Sequence, residues 1–172
     1  MTVNIRRVVI TGIGAITPLG LTVSESWKNI IAGQSGIKKI DRFNTDQFSA
    51  KIAGLVPTDF DPEKLISKKD IRKMGLFIQY GITAAVEAIN DSNWMPKTED
   101  KLDSTGILIG SGIGGLGEIE STSVNFHKGT STRISPFFIP AALTNLVSGQ
   151  NKRLFKLEQT GWKNHTFIIL NN

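Results

Sequence analysis

Side chains able to act as nucleophiles or general bases are few and lie far apart along this chain. The 172 residues include no cysteine, and the two histidines are His127 and His165. A serine nucleophile needs a base within hydrogen-bond reach, but neither Ser111 nor Ser135 stands at a recognisable spacing from one. Histidines and carboxylates also fail to cluster as zinc ligands would. The sequence therefore predicts neither a serine triad nor a metal site, and we assign no catalytic residue.

A glycine-dense turn is the next candidate for chemistry. Gly110–Gly115 (GSGIGG) formally matches G-x-G-x-x-G after an apolar strand, which would indicate dinucleotide binding. Such a unit should carry an acidic residue about 20 positions later, yet Lys128–Pro136 contains no Asp or Glu. The earlier turn at Gly12–Gly14 has Thr17 where a third glycine belongs. We therefore predict no cofactor, and the plain alternative is that the turn only lets a strand and a helix approach closely.

Composition places the chain among ordinary globular domains. Hydrophobic residues make up 40% and charged residues 20% of the sequence, and no apolar run is long enough to cross a membrane. The N-terminus lacks the features of a secretory signal, so we expect a cytoplasmic protein. The formal net charge is +5, but much of the excess falls in residues 151–172 and forms no basic stripe. Nucleic-acid and membrane partners are therefore disfavoured.

Local signals near the N-terminus predict a strand followed by a helix. Arg6–Thr11 (RRVVIT) is a β-branched run typical of a buried strand. Thr22 or Ser24 can cap the next helix. Gly33 should end that helix in the left-handed conformation.

A long amphipathic helix is predicted in the middle of the chain. Asp61 followed by Pro62 starts a short helix, and Ser67 with Asp70 resembles a capping box. Behind this box we predict one helix that continues to about Asp91. Its apolar stripe comprises Met74, Phe77, Ile78, Gly81, Ala85, Ala88 and Ile89.

The alternation of strands and helices predicts an α/β layered fold with parallel strand pairing. Thr105–Ile109 is the second predicted strand, and Gly112–Gly117 leads into a helix through about Phe126. The tail, residues 151–172, lacks good caps and is rich in Asn and Lys. Thr166–Leu170 could form a small strand, or the tail could be unstructured.

Four segments together carry a family resemblance. RRVVITGIGAITPLG, SKKDIRKMGLFIQYGI, IGSGIGGL and ISPFFIPAALTNLVSG resemble, in order and spacing, the β-ketoacyl-[acyl-carrier-protein] synthases, and most closely the type II elongating enzymes. The resemblance covers residues 5–149. It implies a thiolase-like layered α-β-α fold, incomplete here, with residues 1–149 forming part of the N-terminal domain. It also implies a homodimer for the intact family, but we do not expect this chain to form that dimer.

The implied activity is a decarboxylative condensation in fatty-acid biosynthesis, in which an enzyme cysteine accepts the acyl group and a malonyl-carrier supplies the carbanion. Counting along the family pattern puts that cysteine at Ile168, and the family's catalytic histidines lie beyond residue 172. We therefore expect a truncated synthase that is inactive alone, with residues 150–172 a divergent tail that arose by a reading-frame change or is disordered. The alternative is a non-catalytic fragment that binds the carrier protein or an intact synthase.

Two residues match acyl-binding positions of the family. Ile113 matches the residue of the glycine-rich loop that gates entry of the acyl chain. Phe138 matches an aromatic lining of the acyl pocket that is reached across the dimer. The alternative for both residues is simple core packing.

Four cations match positions that meet the acidic acyl carrier protein: Lys69, Arg72, Lys73 and Arg133. Spacing gives separate support, because positions 69, 72 and 73 share one face at the start of the predicted helix. Cations at a helix start oppose the helix dipole, so another gain should explain them. The alternative is a solvated basic face.

We also expect apolar surface to remain uncovered in this chain. The Met74–Ile89 stripe and the SPFFIP segment are the predicted exposed regions. Such surface favours poor solubility or association with other chains.

Overall fold

The computed structural model describes residues 7–155 and 165–171. In chain order the elements are α1 (Val23–Ile31), β1 (Ile37–Lys39), β2 (Ile52–Gly54), a 3₁₀ helix (Pro62–Lys64), α2 (Lys68–Ile71), α3 (Leu76–Ser92), α4 (Glu99–Asp103), β3 (Thr105–Ser111), α5 (Leu116–His127), α6 (Phe138–Ala142), α7 (Leu146–Phe155) and β4 (His165–Asn171). No helix within these ranges combines the length and the hydropathy that a membrane crossing requires.

The strands form two small sheets. β3 and β4 pair in parallel, with Thr105 opposite His165 at one end and Ser111 opposite Asn171 at the other. A parallel pair needs a long crossover connection, and α5, α6 and α7 lie within it. β1 and β2 form a short antiparallel pair. The α/β prediction is confirmed, and of the two possibilities left open for Thr166–Leu170, the backbone takes the strand.

The hydrophobic core is built around α3. Ile78 and Ile82 are each 1% exposed, and Val147 of α7 is fully buried against the same cluster. Further members are Ile66, Met74 and Phe77. The predicted stripe of α3 is thus real, but the expectation that it stays uncovered is wrong, because α7 packs on it.

The single long helix predicted behind Ser67 is in fact two helices. The Ser67 hydroxyl accepts a hydrogen bond from Asp70 N at 3.2 Å, as a capping box requires. However, α2 ends at Ile71 and α3 begins only after Gly75, whose backbone is extended. A Cβ on Gly75 would lie 2.4 Å from Ala141 O. The break therefore lets the chain around α6 pass close to the backbone, a tertiary contact that a local pattern cannot show.

The buried strand predicted at Arg6–Thr11 is not present over residues 7–11. None of these residues pairs with another strand in the part of the chain that the structure describes. Val8 is 96% exposed, and Val9 and Ile10 are also exposed. A β-branched run becomes a strand only when a neighbouring strand supplies hydrogen bonds, so the prediction is wrong there.

Three hydrogen bonds to carboxylates of α3 hold the loop that follows residue 11. Asp91 accepts from Ile13 N, and the two carboxylate oxygens of Glu87 accept from Ala15 N and Val23 N, all at 2.9 Å. Both acceptors lie on α3, one helical turn apart. The N-terminal loop is therefore fixed to α3 through its backbone.

The predicted ends of α1 are confirmed. Thr22 is the N-cap, and its side chain accepts from Glu25 N. Gly33 has φ +67°, the left-handed conformation expected after a helix end.

Candidate functional site

The glycine-rich turn joins β3 to α5 and packs against the end of α6. Gly114 has φ +76°, and a Cβ on it would lie 2.8 Å from Thr144 Cγ2. Gly115 N donates to Ala142 O at 3.0 Å, and a Cβ on Gly115 would lie 2.6 Å from Ala142 Cα. These glycines therefore serve close packing, as the plain alternative predicted, although the partner is α6.

The two predicted acyl-binding residues lie in different surroundings. Ile113 is 66% exposed on the glycine-rich turn. Phe138 is half-buried and lines a groove of about 540 Å³ beside α5. The other residues of the groove are Ile119, Thr122, Ser123, Phe126, His127 and Ile134. Ile113 is not part of this lining, so the structure does not bring the two residues into one cavity.

The groove has an apolar floor and few groups able to do acid–base chemistry. His127 is exposed at the end of α5, and within the described residues it makes no hydrogen bond to Thr122 or Ser123. The side chain of His165 lies outside the described residues. No group of three metal-binding side chains occurs in the described ranges. The groove can hold an apolar segment, but it presents no catalytic pair.

The three predicted cations near residue 70 differ in their surroundings. Lys69 and Arg72 are exposed, whereas Lys73 is half-buried. Lys73 Nζ lies 3.1 Å from Asp70 Oδ1 and 5.7 Å from the centroid of the Phe137 ring. Neither Lys69 nor Arg72 forms an ion pair with any residue that the structure describes. Lys73 is thus engaged within the molecule, and the other two are available to a partner.

The helical face that was predicted to carry these cations also needs correction. Lys69 lies inside the four-residue α2, Arg72 caps its C-terminal end, and Lys73 follows that end. The cause is the break before α3, because the residues predicted to start one long helix instead end α2. Cations are favoured at the C-terminal end of a helix, so the predicted conflict with the helix dipole does not arise for Arg72 and Lys73.

Arg133 is exposed in the segment that precedes α6, and its carbonyl oxygen accepts from the Ser131 hydroxyl at 2.8 Å. The same segment reaches the chain just after α2 through the contact between Lys73 and Phe137. Among the described residues, no hydrogen bond or ion pair joins Arg133 to Lys69 or Arg72.

Asp70 is the acidic residue among the cations of α2 and the chain that follows it. Its pKa is lowered, first by the hydrogen bond from the Ser67 hydroxyl, then by the hydrogen bond from Lys73, and further by the positive charges of Lys73 and Arg153. The effect of the Arg153 charge on Asp70 is one that sequence reasoning missed. The available signal was the excess of positive charge in residues 151–172, which no local pattern could connect to α2.

Comparison with known proteins identifies the family. The sequence model of the β-ketoacyl synthase N-terminal domain matches residues 5–158. The chain belongs to the β-ketoacyl synthase family. This β-ketoacyl synthase chain is 48% identical over 144 residues to 3-oxoacyl-[acyl-carrier-protein] synthase 2 of Vibrio cholerae serotype O1, and 43% identical to the protein of that name from Coxiella burnetii. Each match covers 84% of the chain and 34% of the relative, so the chain spans about a third of these relatives' length.

Solved structures agree on the fold. This synthase chain is similar to the ishigamide ketosynthase/chain length factor, with a TM-score of 0.72, 25% identity, and 94% of this chain and 39% of that chain covered. A β-ketoacyl synthase from Burkholderia phymatum STM815 matches with a TM-score of 0.68 at 20% identity, over 96% of this chain and 39% of that one. The predicted family and the predicted thiolase-like fold are both confirmed.

Proposed function

We propose that this chain supplies the carrier-protein docking surface and part of the acyl-binding wall of a 3-oxoacyl-[acyl-carrier-protein] synthase acting in fatty-acid synthesis. The family match over residues 5–158 carries this proposal, because it contains the glycine-rich turn and all the predicted docking cations. The names of the relatives specify an acyl carrier protein and synthesis of a 3-oxoacyl group. Exposure of Lys69 and Arg72 supports a role toward an outside partner.

The family reaction requires a thiol that these residues do not contain. The acyl group passes from the carrier thioester to an enzyme cysteine with release of the carrier thiol. Malonyl-carrier then loses carbon dioxide, and its carbanion attacks the acyl thioester and frees the cysteine. The 172 residues include no cysteine, and a thiolate is the nucleophile in such transfers. We therefore propose that these residues do not catalyse the condensation by themselves.

The acyl-binding part of the proposal assigns Ile113 and Phe138. The exposed position of Ile113 on a glycine-rich turn suits a residue that gates entry of the acyl chain. Phe138 lines an apolar groove of about 540 Å³, which is within the range of ligand sites, about 300–1,000 Å³. An alkyl chain is recognised by contact with such apolar walls rather than by hydrogen bonds.

The docking part assigns Lys69, Arg72, Lys73 and Arg133 to an acidic surface of the carrier protein. Charges at the rim of an interface mainly raise the association rate, and added salt screens them. The proposal therefore requires that binding weaken as ionic strength rises.

The first test measures binding of purified acyl carrier protein to the chain by calorimetry at low and high salt. Replacing both Lys69 and Arg72 by Glu should weaken binding at low salt by about tenfold or more, since each reversal turns an attraction into a repulsion. The matched control reverses two exposed lysines, Lys38 of β1 and Lys51 just before β2, as Lys38→Glu with Lys51→Glu, and should change the affinity little. Equal loss in both double variants would argue against a localised docking surface.

The second test is a condensation assay with acyl-carrier and malonyl-carrier. We expect no 3-oxoacyl product from the purified 172-residue chain, at enzyme concentrations where an intact synthase gives a clear signal. Turnover by the chain, free of other synthase, would overturn the proposed inactivity.

A second candidate function is binding to an intact synthase without catalysis. Three exposed apolar residues before and within α6 favour it: Ile134, Phe137 and Ile139. Co-purification of the chain with a tagged intact synthase tests this candidate. Loss of the complex on Ile139→Lys would support it, and absence of any complex would remove it.

A further inference from the structure

A second groove, of about 580 Å³, is lined by residues of α3, α4 and α7. Val86 and Asn90 of α3 lie one helical turn apart on its wall, and Val86 also packs on the hydrophobic core. Leu102 of α4 and Leu154 of α7 complete this part of the lining. The groove beside α4 shares no lining residue with the groove beside α5, so the two are separate.

The wall of the groove beside α4 that consists of residues 95–97 is held by contacts on both sides. Just before it, Trp94 N donates to Ser92 Oγ at 3.1 Å, and Trp94 Nε1 donates to Thr105 Oγ1 at 3.3 Å. After it, Thr105 Oγ1 donates to Lys101 O at 2.6 Å, and Lys101 Nζ lies 5.6 Å from the centroid of the Trp94 ring. The groove is therefore already formed without a ligand, as small-molecule sites usually are.

The lining is mainly apolar, and the described residues leave it open. Leu65 and Leu154 are each 44% exposed and Met95 is 51% exposed, although all three line the same groove. Covering such a wall with an apolar group removes its surface from water, which is favourable and needs no directional hydrogen bond. The groove therefore suits an alkyl chain, and its volume lies within the range of ligand sites, about 300–1,000 Å³.

Two polar side chains in the lining give the groove a charge preference. Lys97 is exposed and forms no ion pair with any described residue, and the side-chain amide of Asn90 makes no hydrogen bond with one. Among the described residues, no carboxylate lines the groove, since the acidic residues of α4, Glu99, Asp100 and Asp103, are not part of its lining. A lysine ammonium and an amide donor beside an apolar wall match an alkyl chain that ends in a carboxylate.

We infer that the groove beside α4 binds a monomeric fatty-acid carboxylate, with its alkyl chain over Leu65, Met95 and Leu154 and its carboxylate at Lys97 and Asn90. The site is distinct from the acyl-binding wall that contains Phe138, and the inference does not rest on the proposed function. Apolar contact supplies most of the affinity, because an exposed ion pair contributes little. The ion pair instead selects a carboxylate over a neutral head group.

The test titrates the purified chain with decanoate by calorimetry, at concentrations where decanoate is monomeric. We expect Met95→Glu to weaken binding by about tenfold or more, because it places a negative charge on the apolar wall. Lys97→Gln should weaken decanoate binding by about two- to fivefold and leave the affinity for decanol, which has the same chain without the charge, unchanged. Lys128→Gln, at an exposed position outside both grooves, is the charge control and should affect neither ligand.

Both substituted side chains are exposed, and melting followed by circular dichroism checks that each variant is folded. Lys97→Gln keeps a polar side chain at its position and gives an independent readout if Met95→Glu is unstable. The difference between decanoate and decanol is the decisive quantity there, because a general loss of structure would weaken both ligands alike.

Phe126→Glu supplies the matched control, since Phe126 is 59% exposed and lines the groove beside α5. If Phe126→Glu removes decanoate binding and Met95→Glu does not, decanoate occupies the groove beside α5, and this inference is overturned while the proposed function stands. Absence of decanoate binding, or equal affinity in the wild type and both variants, overturns it as well. If Met95→Glu shifts the sedimentation of the ligand-free chain toward the monomer, a second copy fills the groove, and the fatty-acid site is rejected.

Discussion

At the scale of single residues, Asn151 is a buried polar side chain that makes only part of its possible hydrogen bonds. The side chain is fully buried in α7, and its Nδ2 donates to Val147 O at 2.9 Å. Its Oδ1 has no hydrogen-bond partner among the described residues. An unpaired buried acceptor costs about 1–3 kcal/mol relative to a satisfied one, so Asn151 weakens the core that Val147 helps to form.

We predict that Asn151→Leu stabilises the chain by about 1 kcal/mol, because an apolar side chain of similar size removes the unpaired oxygen. Urea denaturation of the variant and the wild type measures the change. Asn90→Leu, at an exposed position of α3, is the control and should stay within about 0.5 kcal/mol of the wild type. A clear loss of stability in Asn151→Leu would show that Oδ1 is satisfied in solution.

The helix caps could be predicted from the sequence because each depends on neighbours in the chain. Thr22 and Ser67 each accept a hydrogen bond from a backbone amide three residues later, and Gly33 takes the left-handed conformation at the end of α1. The contact of Lys73 with the Phe137 ring could not be predicted, because the two residues are distant in sequence. Arg153 escaped notice for the same reason.

At the scale of elements, α3 organises its surroundings through both faces. One face forms the core with α7. The other presents Glu87 and Asp91 to the N-terminal loop, where they accept hydrogen bonds from three backbone amides. Gly12 and Gly14 allow this approach, since a Cβ on either would overlap backbone atoms of α3. The loop that leads into α1 is therefore held by the helix, and not by a strand ladder.

We predict that Glu87→Ala destabilises the chain by about 2 kcal/mol or more, because hydrogen bonds to a charged acceptor contribute about 1.5–3 kcal/mol each. The stability of Glu87→Gln should lie between those of Glu87→Ala and the wild type, since the amide retains only one acceptor oxygen. Hydrogen exchange at the Ala15 and Val23 amides should accelerate in both variants. Glu120→Ala, at an exposed position of α5, provides the control, and an equal effect there would contradict the assigned role of Glu87.

The sequence predicted β3 correctly, but it also predicted a strand over residues 7–11 that is not present. β3 was found because a run of apolar residues ends in a glycine turn, and its partner β4 runs beside it over its full length. The similar run at residues 7–11 has no partner in the described part of the chain and is not a strand. Sequence shows the tendency to form a strand, whereas pairing decides whether it forms. The division between residues 1–149 and a separate tail stays a prediction, although α7 crosses it and the family match continues to residue 158.

At the scale of the whole molecule, exposed apolar surface is extensive. Large hydrophobic residues are exposed in the N-terminal segment, on α1 and around α6. On α1, Trp27 is 61% and Ile31 is 70% exposed, and the two lie one helical turn apart. Contiguous patches of this kind usually mark interaction surfaces. The SPFFIP part of the expected apolar surface is confirmed at two positions, since Phe137 and Ile139 are exposed.

We predict that the purified chain self-associates in a concentration-dependent manner, which sedimentation velocity measures. Trp27→Lys combined with Ile31→Lys should shift the distribution toward the monomer, because it removes apolar area from the outer face of α1. Lys28→Gln on the same helix changes a charge but no apolar area and should have little effect. A monomer at every concentration, with a sharp cooperative melt at high temperature, would contradict this prediction.

The hydrogen bonds from Glu87 and Asp91 also bear on how the chain is made. They join residues separated by 64, 72 and 78 positions, so the N-terminal loop cannot reach its final place until α3 has left the ribosome. Synthesis proceeds at about 5–20 residues per second, which leaves the first two dozen residues waiting for several seconds. During that interval the backbone amides of Ile13, Ala15 and Val23 lack these acceptors, and slowing translation before residue 91 should lengthen it.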